Sequence, residues 1–194
     1  MSQAAENIPV IKTRKKILTY ADYATLTPTD SGNYELHQGK ILYMPSPTPH
    51  HQDVAMNLSS RMHLYASQGK LGKVFTAPLD TVFDSFTTFQ PNILFIAKER
   101  SHIIGDKKIE GAPDLVVEVL SASNNPKEMS YKKHIYESFM VREYWLINLK
   151  KLTITVYNNI EGELLPIGVF KGDDEVESQV IPGFKVAVQD VLGI

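Results

Sequence analysis

Gly111-Ala112-Pro113-Asp114-Leu115-Val116-Val117-Glu118-Val119-Leu120-Ser121 is an apolar run bounded by Pro113 and Ser121. Such a run reads as a short strand buried on both faces, which a central sheet position requires. Glu118 interrupts it. With Val117 and Val119 as neighbours, its carboxylate must be paired, protonated or bound to a metal, because burying a lone charge is very costly. A structural pair with a Lys or Arg accounts for it as well as a metal does. Asp114 shares Glu118's side of the strand by the two-residue period. Four residues at ~3.3 Å each nevertheless put it roughly 13 Å away, so one small metal centre cannot use both. After Pro113, at the strand's start, Asp114 reads as a structural carboxylate that satisfies a neighbouring backbone N–H.

The chain's 194 residues fit one domain with a full-sized core, and no low-complexity linker divides them. The expected division is an N-terminal arm over 1–17 and a single domain over 18–194. There is no cysteine, so any metal must be held by oxygen or histidine. Met1 to Asn7 is polar, carries Glu6 and does not resemble a signal peptide. No run of about 18 apolar residues suggests a membrane span, and a cytoplasmic protein without membrane contact is expected. Twenty Lys and Arg against 22 Asp and Glu give a net charge of −2, which does not encourage broad binding to polyphosphate. The basic groups Arg14-Lys15-Lys16, Lys107-Lys108, Lys132-Lys133 and Lys150-Lys151 each read as solvated surface unless they converge on one face.

Thr19 and Asp22 form a capping pattern for a short helix over Tyr20 to Leu26, ended by Pro28 and the Asp30-Ser31-Gly32-Asn33 cluster. Tyr34 to Leu36 and Lys40 to Met44 flank His37-Gln38-Gly39 and predict a hairpin. Within it, Glu35 points away from the face shared by Tyr34 and Leu36, which reads as the solvent side. His50 and His51 begin a helix whose buried stripe is Val54, Leu58, Met62 and Tyr65; adjacent on a helix, the two histidines diverge by about 100° and do not chelate together. Val74 to Phe83 predicts a strand interrupted by Pro78, Ser85 to Thr88 a turn, and Gln90 to Ala97 a buried strand. Lys98 to Glu110 reads as a solvent loop.

Ala122 to Pro126 supplies caps for a helix over Lys127 to Phe139, with Met129, Tyr136 and Met140 towards the sheet and Ile135 and Phe139 beside them. Glu128 and Lys132 stand at i,i+4, where a surface ion pair is the plain reading. Glu143 to Leu149 and Leu152 to Tyr157 predict an antiparallel hairpin, Leu164 to Phe170 a further strand, and Asp173 to Ser178 a loop. A last strand or short helix ends at Leu192. The element order predicts a mixed α/β fold rather than a doubly wound one.

Tyr34-Glu35-Leu36, Pro47 to His51, Ala77 to Asp80, Gln90 to Ile93, Gly111 to Ser121, Lys132 with Tyr136, and Glu143 to Ile147 together resemble a large bacterial family. It is the restriction endonuclease family common in cyanobacteria, formerly a domain of unknown function, within the PD-(D/E)XK nuclease superfamily. The likeness covers roughly Leu18 to Phe184. It implies a restriction-endonuclease-like core, a central mixed sheet flanked by helices, with additional antiparallel strands. It also implies a Mg²⁺ or Mn²⁺ site held by Glu118, the residue at 92 and Glu35, with Lys132, Glu118 and Glu35 catalytic. The lysine usually found two positions after the strand acid is Leu120 here, and its role moves to Lys132. His51 and Glu128 match positions that support such a site from behind.

Two departures bear on activity. The family has Pro-Asp where this chain has Pro91-Asn92, and often an Asp where this chain has Asn148. An asparagine offers an amide oxygen without charge and binds a hard cation more weakly. The resemblance therefore implies a metal-dependent endonuclease acting on DNA, or on RNA, weakened or silenced at Asn92, with a weakly bound ion. The alternative is a non-catalytic nucleic-acid-binding or partner-binding protein on the same scaffold. A homodimer is expected, with the apolar hairpin Tyr144 to Tyr157 as a self-contact.

Overall fold

The computed structural model describes residues 16–26, 33–120 and 126–194. Most of the arm, the Pro28 and Asp30-Ser31-Gly32 helix stop and the caps at 122–125 lie outside the described residues. The chain runs α1 (Tyr20–Ala24), β1 (Asn33–His37), β2 (Lys40–Met44), α2 (Pro49–Gly69), β3 (Gly72–Thr76), β4 (Thr81–Asp84), β5 (Thr87–Phe89), β6 (Ile93–Ala97) and β7 (Ile109–Glu110). It continues through β8 (Leu115–Leu120), α3 (Pro126–Ser138), β9 (Glu143–Asn148), β10 (Thr153–Ile160), β11 (Glu163–Lys171), β12 (Glu175–Glu177), β13 (Lys185–Ala187) and α4 (Val188–Leu192).

A six-stranded sheet has the order β11-β10-β9-β8-β6-β3, and a five-stranded sheet the order β2-β1-β5-β4-β7. β8 pairs antiparallel with β6 and parallel with β9, so the larger sheet is mixed and flanked by helices, as the element order predicted. Strand alternation then sorts the side chains of β8. Leu115, Val117 and Val119 join Val54, Leu58 and Met62 of α2 in one core cluster. Val116, on the opposite face, joins Phe83, Phe89, Ile135, Tyr136 and Tyr144 in a second. Glu118 shares that second face and so looks towards α3 and the smaller sheet.

Several local expectations give way to tertiary context. Tyr65 is 37% exposed and donates its hydroxyl to Pro182 O, while Ala55 and Ala66 join the buried stripe of α2 instead. Met140, at 57% exposure, lies outside the α3 stripe, and buried Lys132 lies within it. The segment around Pro78 divides into β3 and β4, which belong to different sheets. Thr87 and Thr88 lie in β5 rather than in a turn, and Glu175–Glu177 pairs with β13 rather than forming a loop. The hairpin β9–β10 lies inside the larger sheet, with Tyr144, Trp145, Ile147, Ile154 and Val156 all buried. Most of its apolar side chains, which the expected self-contact would use, are therefore already covered within the chain.

Lys98 to Glu110 is also not a free loop. It forms a 3-10 turn over Lys98–Ile103 and strand β7, with Ile103 and Ile109 buried. Its Arg100 donates to Asp114 Oδ1 at 3.1 Å and to Ala112 O at 2.8 Å. Arg142 donates to the same Asp114 oxygen at 3.2 Å, and the backbone N–H of Ala97 to Asp114 Oδ2 at 2.8 Å. Asp114, fully buried, therefore ties β6, the 3-10 turn and the start of β9 together. Replacing it by alanine removes charge-assisted bonds while leaving two half-exposed guanidinium groups that water can reach. Asp114→Ala should lower stability in urea denaturation by about 1.5–3 kcal/mol.

Candidate active site

Glu35, His37, Glu118 and Lys132 are brought together from β1, β8 and α3. Reading Glu35 as solvent-facing fails because alternation marks an outside only where one face of a strand is wet. Glu35, Leu36 and His37 are all buried at the end of β1, which lies between β2 and β5. Lys132 reaches inward from α3, one turn before Tyr136.

The Lys132 ammonium donates to Glu35 Oε1 at 2.8 Å and to Glu118 Oε1 at 3.2 Å. Glu35 Oε1 also accepts the Gln90 backbone N–H at 2.8 Å, and its Oε2 lies 2.8 Å from His37 Nε2. Glu118 Oε1 accepts the Tyr136 hydroxyl at 2.5 Å. The Phe89 ring, 5.2 Å below the ammonium, adds a cation–π contact. Three buried ionisable groups are thus neutralised to within one charge by one another, which burial at 1%, 5% and 4% exposure demands.

Burial alone would raise the Glu35 carboxyl, but Lys132, His37 and the Gln90 N–H hold it down at about 2. At Glu118 burial outweighs the attraction of Lys132, and the carboxyl lies above its ordinary range. Burial would lower Lys132, yet its two carboxylates hold it above the usual lysine value. It is therefore an ammonium at neutral pH. It can stabilise negative charge but has no lone pair with which to take a proton from water.

These groups line a cleft of about 300 Å³ together with Asn92, His51 and Glu128. Asn92 Oδ1 accepts the Val119 N–H at 2.8 Å, and His51 Nε2 lies 3.0 Å from Val119 O. The two side chains therefore hold the backbone of Val119, the residue after Glu118, at its N–H and at its C=O, in two successive peptide groups. Burial keeps the His51 imidazole below its usual pKa, and because the Val119 carbonyl oxygen can only accept, Nε2 carries the proton of that bond. His51 Nδ1 is buried without a partner. Glu128 lines the cleft, but the ion pairs of Lys132 are to Glu35 and Glu118, not the surface pair expected from the i,i+4 spacing. Asp114 is held apart by its arginines, as its place on the strand required.

The donor set does not fit a tightly held divalent cation. A Mg²⁺ ion takes six oxygen ligands in near-octahedral geometry, several of them water, and is anchored through one or two carboxylates that must be free to face it. Here both carboxylates already carry the ammonium, and the Asn92 oxygen faces a backbone N–H. Among the described residues, no three His, Asp or Glu side chains are grouped to hold a metal. His37, Gln90 and Tyr136 were not singled out as site residues from sequence. The signals were there for two of them: His37 stands two positions after Glu35, and Tyr136 one turn after Lys132.

The two carboxylates give opposite pH dependences. Glu118, raised in the fold, favours folding as pH falls towards its pKa from above. Glu35, lowered from 4.5 to about 2, contributes stability that is present above 4.5 and lost as pH falls to about 2. That loss should be on the order of 3 kcal/mol in urea denaturation and should be absent from Glu35→Gln. Equal acid slopes for the two proteins would contradict the assignment.

The comparisons with known proteins agree with this architecture. A relative from Synechocystis sp. strain PCC 6803, described as an uncharacterized protein, is 26% identical over 135 residues, 69% of this chain and 76% of the relative. The crystal structure of a "putative nuclease belonging to DUF820" from Anabaena variabilis superposes with a TM-score of 0.76 at 19% identity, covering 91% of this chain and 98% of that one. The Uma2 family, described as "Putative restriction endonuclease", matches residues 20–189. The chain therefore belongs to the Uma2 family, on a restriction-endonuclease-like fold.

Proposed function

We propose that this protein engages nucleic acid at the Glu35–Lys132–Glu118 cleft and hydrolyses phosphodiester bonds only weakly. The observation that carries the reading is the pairing of both carboxylates with Lys132 beside an asparagine at position 92. The polar machinery of a nuclease site is retained, whereas the charge needed to hold Mg²⁺ or Mn²⁺ is not. Within the cleft, Lys132 can offer positive charge to a phosphoryl oxygen; Glu35 holds it directly, and Tyr136 orients Glu118, which holds it too. His51 and Asn92 set the position of Glu118 through the backbone of Val119.

A carboxylate at 92 would add a charge where a divalent ion needs one. At an effective dielectric near 20, a unit pair at ~4 Å is worth roughly 4 kcal/mol before desolvation is subtracted, so a net gain of about 1.4–3 kcal/mol is reasonable. Asn92→Asp should therefore tighten Mn²⁺ binding by roughly tenfold to more than a hundredfold in calorimetric titration. It should also raise plasmid nicking, and adding Glu118→Gln should abolish that gain. Unchanged affinity and nicking in a folded Asn92→Asp protein would remove Asn92 from the site's chemistry.

A further inference from the structure

The walls of the cleft carry a specificity that its ionic floor does not explain. Among the described residues lining it, Lys132 is the only Lys or Arg, and it is already committed to two carboxylates. A site built to follow a phosphate backbone would present free cations, because counterion release drives that kind of binding. Beside Glu35, Glu118 and Glu128 this cleft presents the carboxamides of Asn33, Gln52, Gln90 and Asn92, of which Gln90 is engaged with Asp80 and the Asn92 oxygen with the Val119 N–H. Its rim is apolar and aromatic, formed by Tyr43, Met44 and Pro47.

Tyr43 is 55% exposed although it sits on a strand, and its ring packs edge-on against Tyr34, its cross-strand partner, with centroids 5.7 Å apart. The tyrosine is thereby supported from behind while a face remains open to solvent. An aromatic face held this way is a stacking platform, and carboxamides pair with the donors and acceptors along a nucleobase edge. At about 300 Å³ the cleft is at the small end of ligand pockets, a size suited to one nucleotide. A base inside a duplex presents neither its face nor its pairing edge.

We infer that the cleft receives one unpaired nucleotide, its base stacked on Tyr43 and its edge met by the carboxamides, so that the preferred substrate class is single-stranded nucleic acid. This rests on the reading of the cleft as a nucleic-acid site. The test is fluorescence anisotropy of the full chain, with EDTA, against a short fluorescein-labelled DNA strand, the RNA of the same sequence and the corresponding DNA duplex. At least one single strand should bind about tenfold or more tightly than the duplex, with Tyr43→Leu lowering that affinity roughly fivefold to a hundredfold and Tyr43→Phe keeping it. The DNA and RNA arms show which sugar is preferred. Circular dichroism and thermal melting report whether Tyr43→Leu is folded; should it not fold, quenching of 2-aminopurine in the bound single strand by the wild-type protein decides instead, and unquenched binding overturns the stacking. Equal or tighter duplex binding, or a folded Tyr43→Leu protein with unchanged single-strand affinity, overturns the inference and leaves the proposed function standing. Failure to bind any of the three nucleic acids removes both.

Discussion

Two carboxylates buried in one protein interior need a cation, and this fold supplies it from its own chain. Lys132 reaches from α3 to Glu35 on β1 and Glu118 on β8, so one ammonium joins a helix to the two larger sheets. Without it, like charges would face each other where water cannot screen them, a situation that buried pairs tolerate poorly. The interaction is thus a structural requirement and a chemical constraint together. It fixes the three elements around the cleft and sets the charge that any ligand meets.

The constraint also explains how neighbouring residues divide their tasks. Asn92 and His51 hold the N–H and the C=O of Val119, keeping the strand beside Glu118 in place. Gln90 and His37 complete the shell of Glu35, and Gln90 Nε2 continues outward to Asp80, which also accepts from Tyr20 and Tyr23 of α1. A hydrogen-bonded chain therefore links the first described helix to the floor of the cleft. Elsewhere Glu143 plays a wholly structural part. It is fully buried and accepts from Trp145, Ser178, Gln179 and Val180, pinning the segment before β13 to the larger sheet.

The sequence made the anomaly at Glu118 visible because a charge inside a valine run has few physical explanations. It also made the mixed sheet and the amphipathic α2 legible, since those depend on local periodicity. What it could not convey was which faces become covered twice. Glu35 looks exposed beside Tyr34 and Leu36 until the second sheet is known to lie against α3. Lys132 looks like a surface partner of Glu128 until α3 is seen to turn its flank inward. Arg100 and Glu143 were unremarkable in sequence for the same reason: their partners are distant along the chain, and nothing local announces them.

Lys132, rather than a divalent ion, neutralises the carboxylates of the resting site. Anomalous diffraction from crystals of the wild-type chain soaked in Mn²⁺ tests it most directly. No manganese peak is expected within ~2.0–2.4 Å of the Glu118 and Asn92 oxygens, with Lys132 still bonded to Glu35 and Glu118. A strong peak there, ligated by Glu118 and Asn92 with Lys132 displaced, would contradict it.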